Sequence, residues 1–182
     1  MHYEKTIKLK DGRECIIRNA TAHDAEEILA LYNKVNNETN FLLKYPDETI
    51  FSVEEEKDFL YQKEKSAAEV QLCALVGDVI VGLSSVSTIG AWEKINHRAE
   101  LGLSIEKDFW RLGIGSELTA ACIDCATKAG FRQLELEVVG DNRNAIDLYK
   151  KMGFVEYGRN PRGFASRKSD YQELILMRLE LR

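Results

Sequence analysis

LGLSIEKDFWRLGIGS, residues 101–116, passes from an apolar strand ending at Ile105 through a charged turn into a helix that opens at Gly113-Ile114-Gly115. The helix continues with Ile114, Leu118, Ala121, Cys122, Cys125, Ala126 and Ala129 on one side, at helical spacings of three and four. Strand, glycine turn and helix start make a geometry suited to phosphate. The first helical N–H groups have no intrahelical acceptor, the helix dipole adds positive potential, and glycines let an anion approach the backbone. Gly113 and Gly115 also suit a plain tight turn, so the surrounding chain has to choose between the two readings.

Working outward, residues 98–105 are the third strand of a meander whose earlier strands, 70–76 and 79–87, flank a Gly77-Asp78 turn. After the long helix, residues 133–138 alternate Leu134, Leu136 and Val138 with Glu135 and Glu137, predicting one buried and one polar face. A helix joins this strand to its predecessor, so the pair is expected to be parallel. Asp141 or Asn142 caps a short helix with Ala145, Ile146, Tyr149 and Met152 inward, stopped by Gly153. A strand begins at 154–158, a loop through Pro161 and Gly163 follows, and residues 171–181 put Ile175, Met177, Leu179 and Leu181 on one face of a last antiparallel strand.

Toward the N-terminus, residues 5–9 and 14–18 flank Asp11-Gly12 as a hairpin. Thr21 with Asp24, and Ser52 with Glu55, mark two helix starts, the first helix running to about Asn36 and the second to Lys65. Between them, residues 36–50, NNETNFLLKYPDETI, form a long loop with exposed aromatics, a composition that fits a substrate-facing segment or a packed surface loop.

The 182 residues suit one domain, 1–182, and 45% hydrophobic with 30% charged content is that of a soluble chain able to bury a core. The formal charge of -5, with no clustered Lys or Arg, argues against nucleic acid and mildly favours a cationic substrate. The first residues lack the apolar core of a signal peptide and no apolar run could span a bilayer, so the expectation is a cytoplasmic protein off the membrane. Cys122 and Cys125 fall on the buried helix face and read as small core residues rather than a redox or metal pair; no metal is expected. A dinucleotide-binding reading fails, because a meander precedes Gly113 and a third glycine is missing at the required spacing.

Two segments in order, IEKDFWRLGIGSELTAACIDCA and GDNRNAIDLYKKMGF, together resemble the acetyl-coenzyme A site of the Gcn5-related N-acetyltransferase (GNAT) superfamily, closely over residues 99–154. The resemblance implies an α/β (α+β) fold, a mixed, mostly antiparallel twisted sheet of about seven strands flanked by about four helices, with a splayed, bulged parallel pair holding coenzyme A. It implies that Arg111, Leu112, Gly113, Ile114, Gly115 and Ser116 wrap the pyrophosphate, and that backbone groups of Leu103 and Ile105 face the pantetheine and thioester. It further implies that Asn142 bonds the pantetheine and Tyr149 protonates the departing thiolate. Trp110 stands where the family usually carries Gln or Arg. The amine must lose a proton before attack; Glu100 is the expected base, with His97 or a water chain as rivals.

The implied activity is acetyl transfer from acetyl-CoA to a primary amine, on a small molecule or peptide, in a ternary complex; the alternative is a non-catalytic acyl-CoA-binding module. In resembling proteins the final hairpin often mediates dimer contacts, so residues 171–181 are a candidate homodimer surface, or the strand that simply completes the sheet. The basic loop 159–170, with Arg162, Arg167 and Lys168, is a candidate cover for the acceptor or the phosphates, or a solvated loop.

Overall fold

The computed structural model describes residues 2–48, 51–167 and 170–182; Lys168 and the end of the 36–50 loop lie outside them. One eight-stranded sheet runs in the order β1-β2-β3-β4-β5-β6-β8-β7. Its strands are β1 Glu4–Lys8, β2 Glu14–Asn19, β3 Val70–Val76, β4 Val79–Thr88, β5 Arg98–Ile105, β6 Gln133–Val139, β7 Val155–Ala165 and β8 Tyr171–Glu180. Helices α1 (Ala25–Glu38), α2 (Val53–Lys65), α3 (Ile114–Lys128) and α4 (Arg143–Lys151) flank it. The mixed fold is the one expected, with one strand more than the seven.

The period-two pattern of β3 shows why helices cover both faces. Leu72 and Ala74 join the cluster under α3 and α4, and Cys73 and Leu75 face the cluster under α1 and α2. The latter two helices lie over β3 and β4, which leaves the same face of β5, β6 and β8 open. All four cysteines are buried free thiols, and burial pushes Cys122 up to about 12, which removes it as a nucleophile.

Local signals place the elements. Ser52 accepts from the Glu55 N–H at 3.3 Å while the Glu55 carboxylate accepts from the Ser52 N–H at 2.8 Å, closing a capping box. Ser52→Ala is expected to lower stability by about 1 kcal/mol in urea unfolding; an unchanged midpoint would show that the cap is dispensable.

One expectation needs correction. The strand that begins near Phe154 does not yield to a loop at Pro161: β7 runs to Ala165, and its register with β8 shifts between Asn160 and Phe164, so Pro161 and Gly163 sit in an irregularity of an edge strand, where a missing N–H is tolerated. On the polar face of β6, Glu135 is itself buried: Arg98 grips it (Nη2 to Oε2 2.7 Å) and the Tyr157 hydroxyl donates to it at 3.2 Å. Residues 171–180 pair on both sides, with β6 and β7, so β8 completes the sheet and the free edge on that side is β7.

Candidate active site

β5 and β6 pair in parallel over three positions, Arg98 with Gln133, Ala99 with Leu134 and Glu100 with Glu135, and there the ladder ends. Among the described residues the register shifts fall in β3–β4 and β7–β8 and none in β4–β5 or β5–β6, so the pair opens by divergence rather than at the bulge expected of it. The backbone groups that line the opening follow from two bonds. Ile89 donates to the Arg98 carbonyl and Glu106 to the Val81 carbonyl, so in the continuous β4–β5 register the even-numbered residues of β5 bond β4. Alternation then turns the N–H and C=O of Leu101, Leu103 and Ile105 toward the gap. On the far side Gly140 donates to Glu173, which by the same rule leaves Glu137 and Val139 facing back.

A cleft of about 600 Å3 occupies this opening. At one end stands the start of α3. Arg111 (φ 64°) and Gly113 (φ 107°) both take left-handed backbone, and the Lys10 N–H ties the loop down by donating to the Leu112 carbonyl at 3.1 Å. Gly113 caps α3 without any side-chain bond, so the N–H groups at Ile114, Gly115 and Ser116 have the orphan character of a helix start. A Cβ on Gly113 would meet nothing within 4 Å, whereas one on Gly115 would lie 3.1 Å from Leu148 and 3.3 Å from Ile105. Gly113 is therefore needed for its backbone angle, and Gly115 for the packing of α3 against α4 and β5. Of the site residues named from sequence, Leu103, Ile105, Arg111, Gly113, Gly115, Ser116, Asn142, Tyr149 and Glu100 line this cleft; Leu112 and Ile114 belong to the loop by their backbone, with Ile114 buried beneath it.

Trp110 answers the question its position raised. Its indole N–H donates to the Ile105 carbonyl at 2.8 Å, so the side chain fastens the loop to the strand it follows and occupies one of the acceptors turned into the gap.

Asn142 caps α4, its side-chain oxygen accepting from the Ala145 N–H at 3.3 Å, which leaves its amide NH2 for the cleft. About two helical turns on, Tyr149 is 7% exposed, tilted against Phe154 at 5.8 Å between ring centroids. Its hydroxyl has no hydrogen-bond partner among the described residues. Burial, with Cys122 nearby, holds the phenol above its usual range, so it is neutral at physiological pH.

Glu100 stands on the open face of β5, at the point where the parallel pair separates. No hydrogen bond or ion pair engages it or Glu137 among the described residues. Its pKa is raised, first by desolvation and then by the carboxylates of Glu137 and Glu135. His97 lies outside the cleft; its carbonyl accepts from Arg132 and Gln133, and its side chain is exposed.

Sequence reasoning missed Lys10 at the α3 end, and Phe41, Leu43 and Phe164 at the other. The aromatic content of the loop after α1 was the signal for Phe41; nothing local marked Lys10, which arrives from the first hairpin. Arg167 does not reach over phosphates: it is held by Asp47 and Tyr45.

A central parallel pair that parts over a cleft, with a helix start at one end and a partner-free tyrosine in it, is the architecture of the N-acetyltransferase class. The chain belongs to the Acetyltransferase (GNAT) family, whose profile matches residues 28–154. It is 31% identical over 152 residues to an N-alpha-acetyltransferase of Sulfurisphaera tokodaii, covering 81% of this chain and 84% of that one. An acetyltransferase of the GNAT family from Streptococcus pneumoniae superposes with a TM-score of 0.87 at 31% identity, over 92% of this chain and 99% of that one. The fold is shared with yncA of Salmonella typhimurium, a putative acetyltransferase solved with its cofactor acetyl-CoA (TM-score 0.81, 18% identity, 92% and 94% covered).

Proposed function

We propose that this protein transfers an acetyl group from acetyl-CoA to a primary amine directly, in a ternary complex. The observation that carries the reading is the convergence on one cleft of the bare α3 start, the partner-free Tyr149 hydroxyl and the unpaired Glu100 carboxylate. In this reading the pyrophosphate rests on the backbone N–H groups from Arg111 to Ser116, with Lys10 and Arg111 as nearby cations. The pantetheine amides pair with Leu103 and the Ile105 N–H, and with the Asn142 amide. Its thioester then lies between Tyr149 and Glu100.

Glu100 takes a proton from the bound ammonium, directly or through water, and the freed nitrogen lone pair attacks the thioester carbon. A strand N–H turned into the gap meets the developing oxyanion. As the tetrahedral intermediate collapses the C–S bond breaks and its electron pair leaves on sulfur, which receives the Tyr149 proton; the surplus proton on the acylated nitrogen is released through water and restores the phenol. The products are the N-acetyl amine and free coenzyme A, with no covalent enzyme intermediate. The buried free thiols suit the reducing cytoplasm, and the β7 edge is the surface a second copy would pair with in a homodimer. No helix among the described residues is long and apolar enough to cross a membrane.

Calorimetric titration with acetyl-CoA tests the cofactor assignment. Saturable binding is expected for the wild type, and Gly113→Ala, which disfavours the φ of 107° without filling the cleft, is expected to weaken it about tenfold. Absence of saturable binding at millimolar ligand would overturn the reading. Gly115→Trp is a poorer probe, because it disrupts the contact with Leu148 whether or not a ligand binds.

A further inference from the structure

The end of the cleft away from α3 has a composition of its own. Its walls are apolar, Phe41 and Leu43 from the segment after α1 facing Phe164 and Leu174 from the β7–β8 hairpin. Its floor carries Glu100 and Glu137. These two carboxylates also line a second cavity of about 320 Å3, in which the cation present, Arg98, is already committed to Glu135. Among the described residues lining the main cleft the cations are Lys10 and Arg111, both at the α3 end. Arg159, near the hairpin, is occupied by Glu156 and Glu173. The acceptor end therefore offers two unpaired negative charges and aromatic surface, and none of the described residues lining it is a cation that could receive a carboxylate; Arg162 of the same hairpin lies over the Tyr171 ring instead.

The two walls are also tied together. The Arg167 guanidinium bonds Asp47 (Nη1 to Oδ1 2.6 Å, to Oδ2 2.8 Å) and lies 4.0 Å from the Tyr45 ring centroid, and its backbone N–H donates to the Tyr45 hydroxyl at 2.6 Å. This strap joins the segment that carries Phe41 to the hairpin that carries Phe164. The contact holds the two apolar walls to each other, which suits a compact molecule between them better than a continuing polypeptide.

We infer that the acceptor is a small arylalkylamine-class molecule: a primary amine bearing an apolar group of aromatic size and no carboxylate. Its ammonium sits at Glu100 and Glu137, and its apolar group lies against Phe41, Leu43 and Phe164. The inference rests on the acetyl-transfer reading above. An added carboxylate would lie beside Glu100 and Glu137 with no cation among the described lining residues to pair it, and like-charge juxtaposition discriminates against it. A polyamine would satisfy the carboxylates but leave the aromatic walls against a charged chain.

The test is free-thiol release by the full chain with acetyl-CoA and four acceptors: 2-phenylethylamine, L-phenylalanine, spermidine and a tetrapeptide amide with an N-terminal Phe. Acetyl-CoA binding is measured calorimetrically on the same preparation. 2-Phenylethylamine is expected to exceed L-phenylalanine, which differs from it by the carboxylate alone, by about 100-fold in kcat/KM. It should also exceed spermidine and the peptide. Phe164→Ala is expected to raise KM for 2-phenylethylamine about tenfold and leave acetyl-CoA affinity unchanged. Equal or better use of any of the other three acceptors, or no turnover of the four, with acetyl-CoA binding intact overturns the inference alone. Loss of saturable acetyl-CoA binding by the wild type overturns it together with the reading beneath it.

Discussion

Tyr149→Phe is expected to lower kcat by about 10²- to 10³-fold while leaving the fold and acetyl-CoA affinity as they are. The expectation follows from what the hydroxyl lacks. With no protein partner, its removal breaks no internal bond, and Phe keeps the ring that packs on Phe154 and fills its place in the core cluster beneath α3 and α4. The ring is buried, but the hydroxyl opens to the cleft, where a ligand can reach it, rather than into sealed core.

Burial also raises the phenol's pKa, so the group is neutral across the physiological range and is present as a donor throughout it. In the transition state the sulfur gains negative charge in a largely desolvated site, where one directed O–H is worth far more than in water. The measurement is a pair of steady-state profiles with unfolding and binding controls. If the variant keeps kcat within about threefold of wild type, a barrier change below about 0.7 kcal/mol, proton donation passes to solvent and Tyr149 is a packing residue.

How far the site could be read from sequence depended on whether the information was local. Ser52 with Glu55, the Gly12 turn and the α3 start gave their elements nearly to the residue, because capping and left-handed backbone are short-range chemistry. Residues 171–180 were legible as a strand but not as an interior one, since alternation along a strand says nothing about which neighbours it finds. Glu135 was legible as part of a polar face but not as buried, because its ion pair with Arg98, 37 positions away, leaves no trace in its own strand.

The same limit applied to the cleft. Tyr149 and Asn142 lie on one helix and Glu100 on the strand before it, all inside the stretch that carries the family resemblance. Phe164 lies instead in an irregular edge strand that looked like a loop, and Lys10 lies in a hairpin distant in sequence from α3. The cofactor end is built largely from backbone of contiguous segments and was legible; of the acceptor end, assembled from side chains of remote segments, Glu100 and the 36–50 loop were legible, and Phe164 and Glu137 were not.

The second large effect concerns Glu100, where the sign of the pH dependence can be worked out. Desolvation, and after it the charges of Glu137 and Glu135, raise its pKa above that of an ordinary glutamate. The base form is therefore lost at a higher pH than usual, and kcat should fall as pH drops through that raised value. Glu100→Gln is expected to reduce kcat by about 10²-fold and to remove this acidic limb.

Glu137→Gln removes one of the two neighbouring charges but keeps the shape of the site, so the limb should move to lower pH without vanishing. Desolvation, the larger cause, remains, and the limb should stop short of where a solvated glutamate would put it. Stability runs opposite to activity. A carboxyl whose pKa is raised on folding binds its proton more tightly in the native state, so its contribution to stability is lost as pH rises through the folded value. Glu100→Gln should accordingly unfold no more easily than wild type at neutral pH, which separates a lost base from a damaged fold. A limb that stays put in Glu137→Gln, together with near-wild-type turnover by Glu100→Gln, would assign proton removal to water or to a group outside the cleft such as His97.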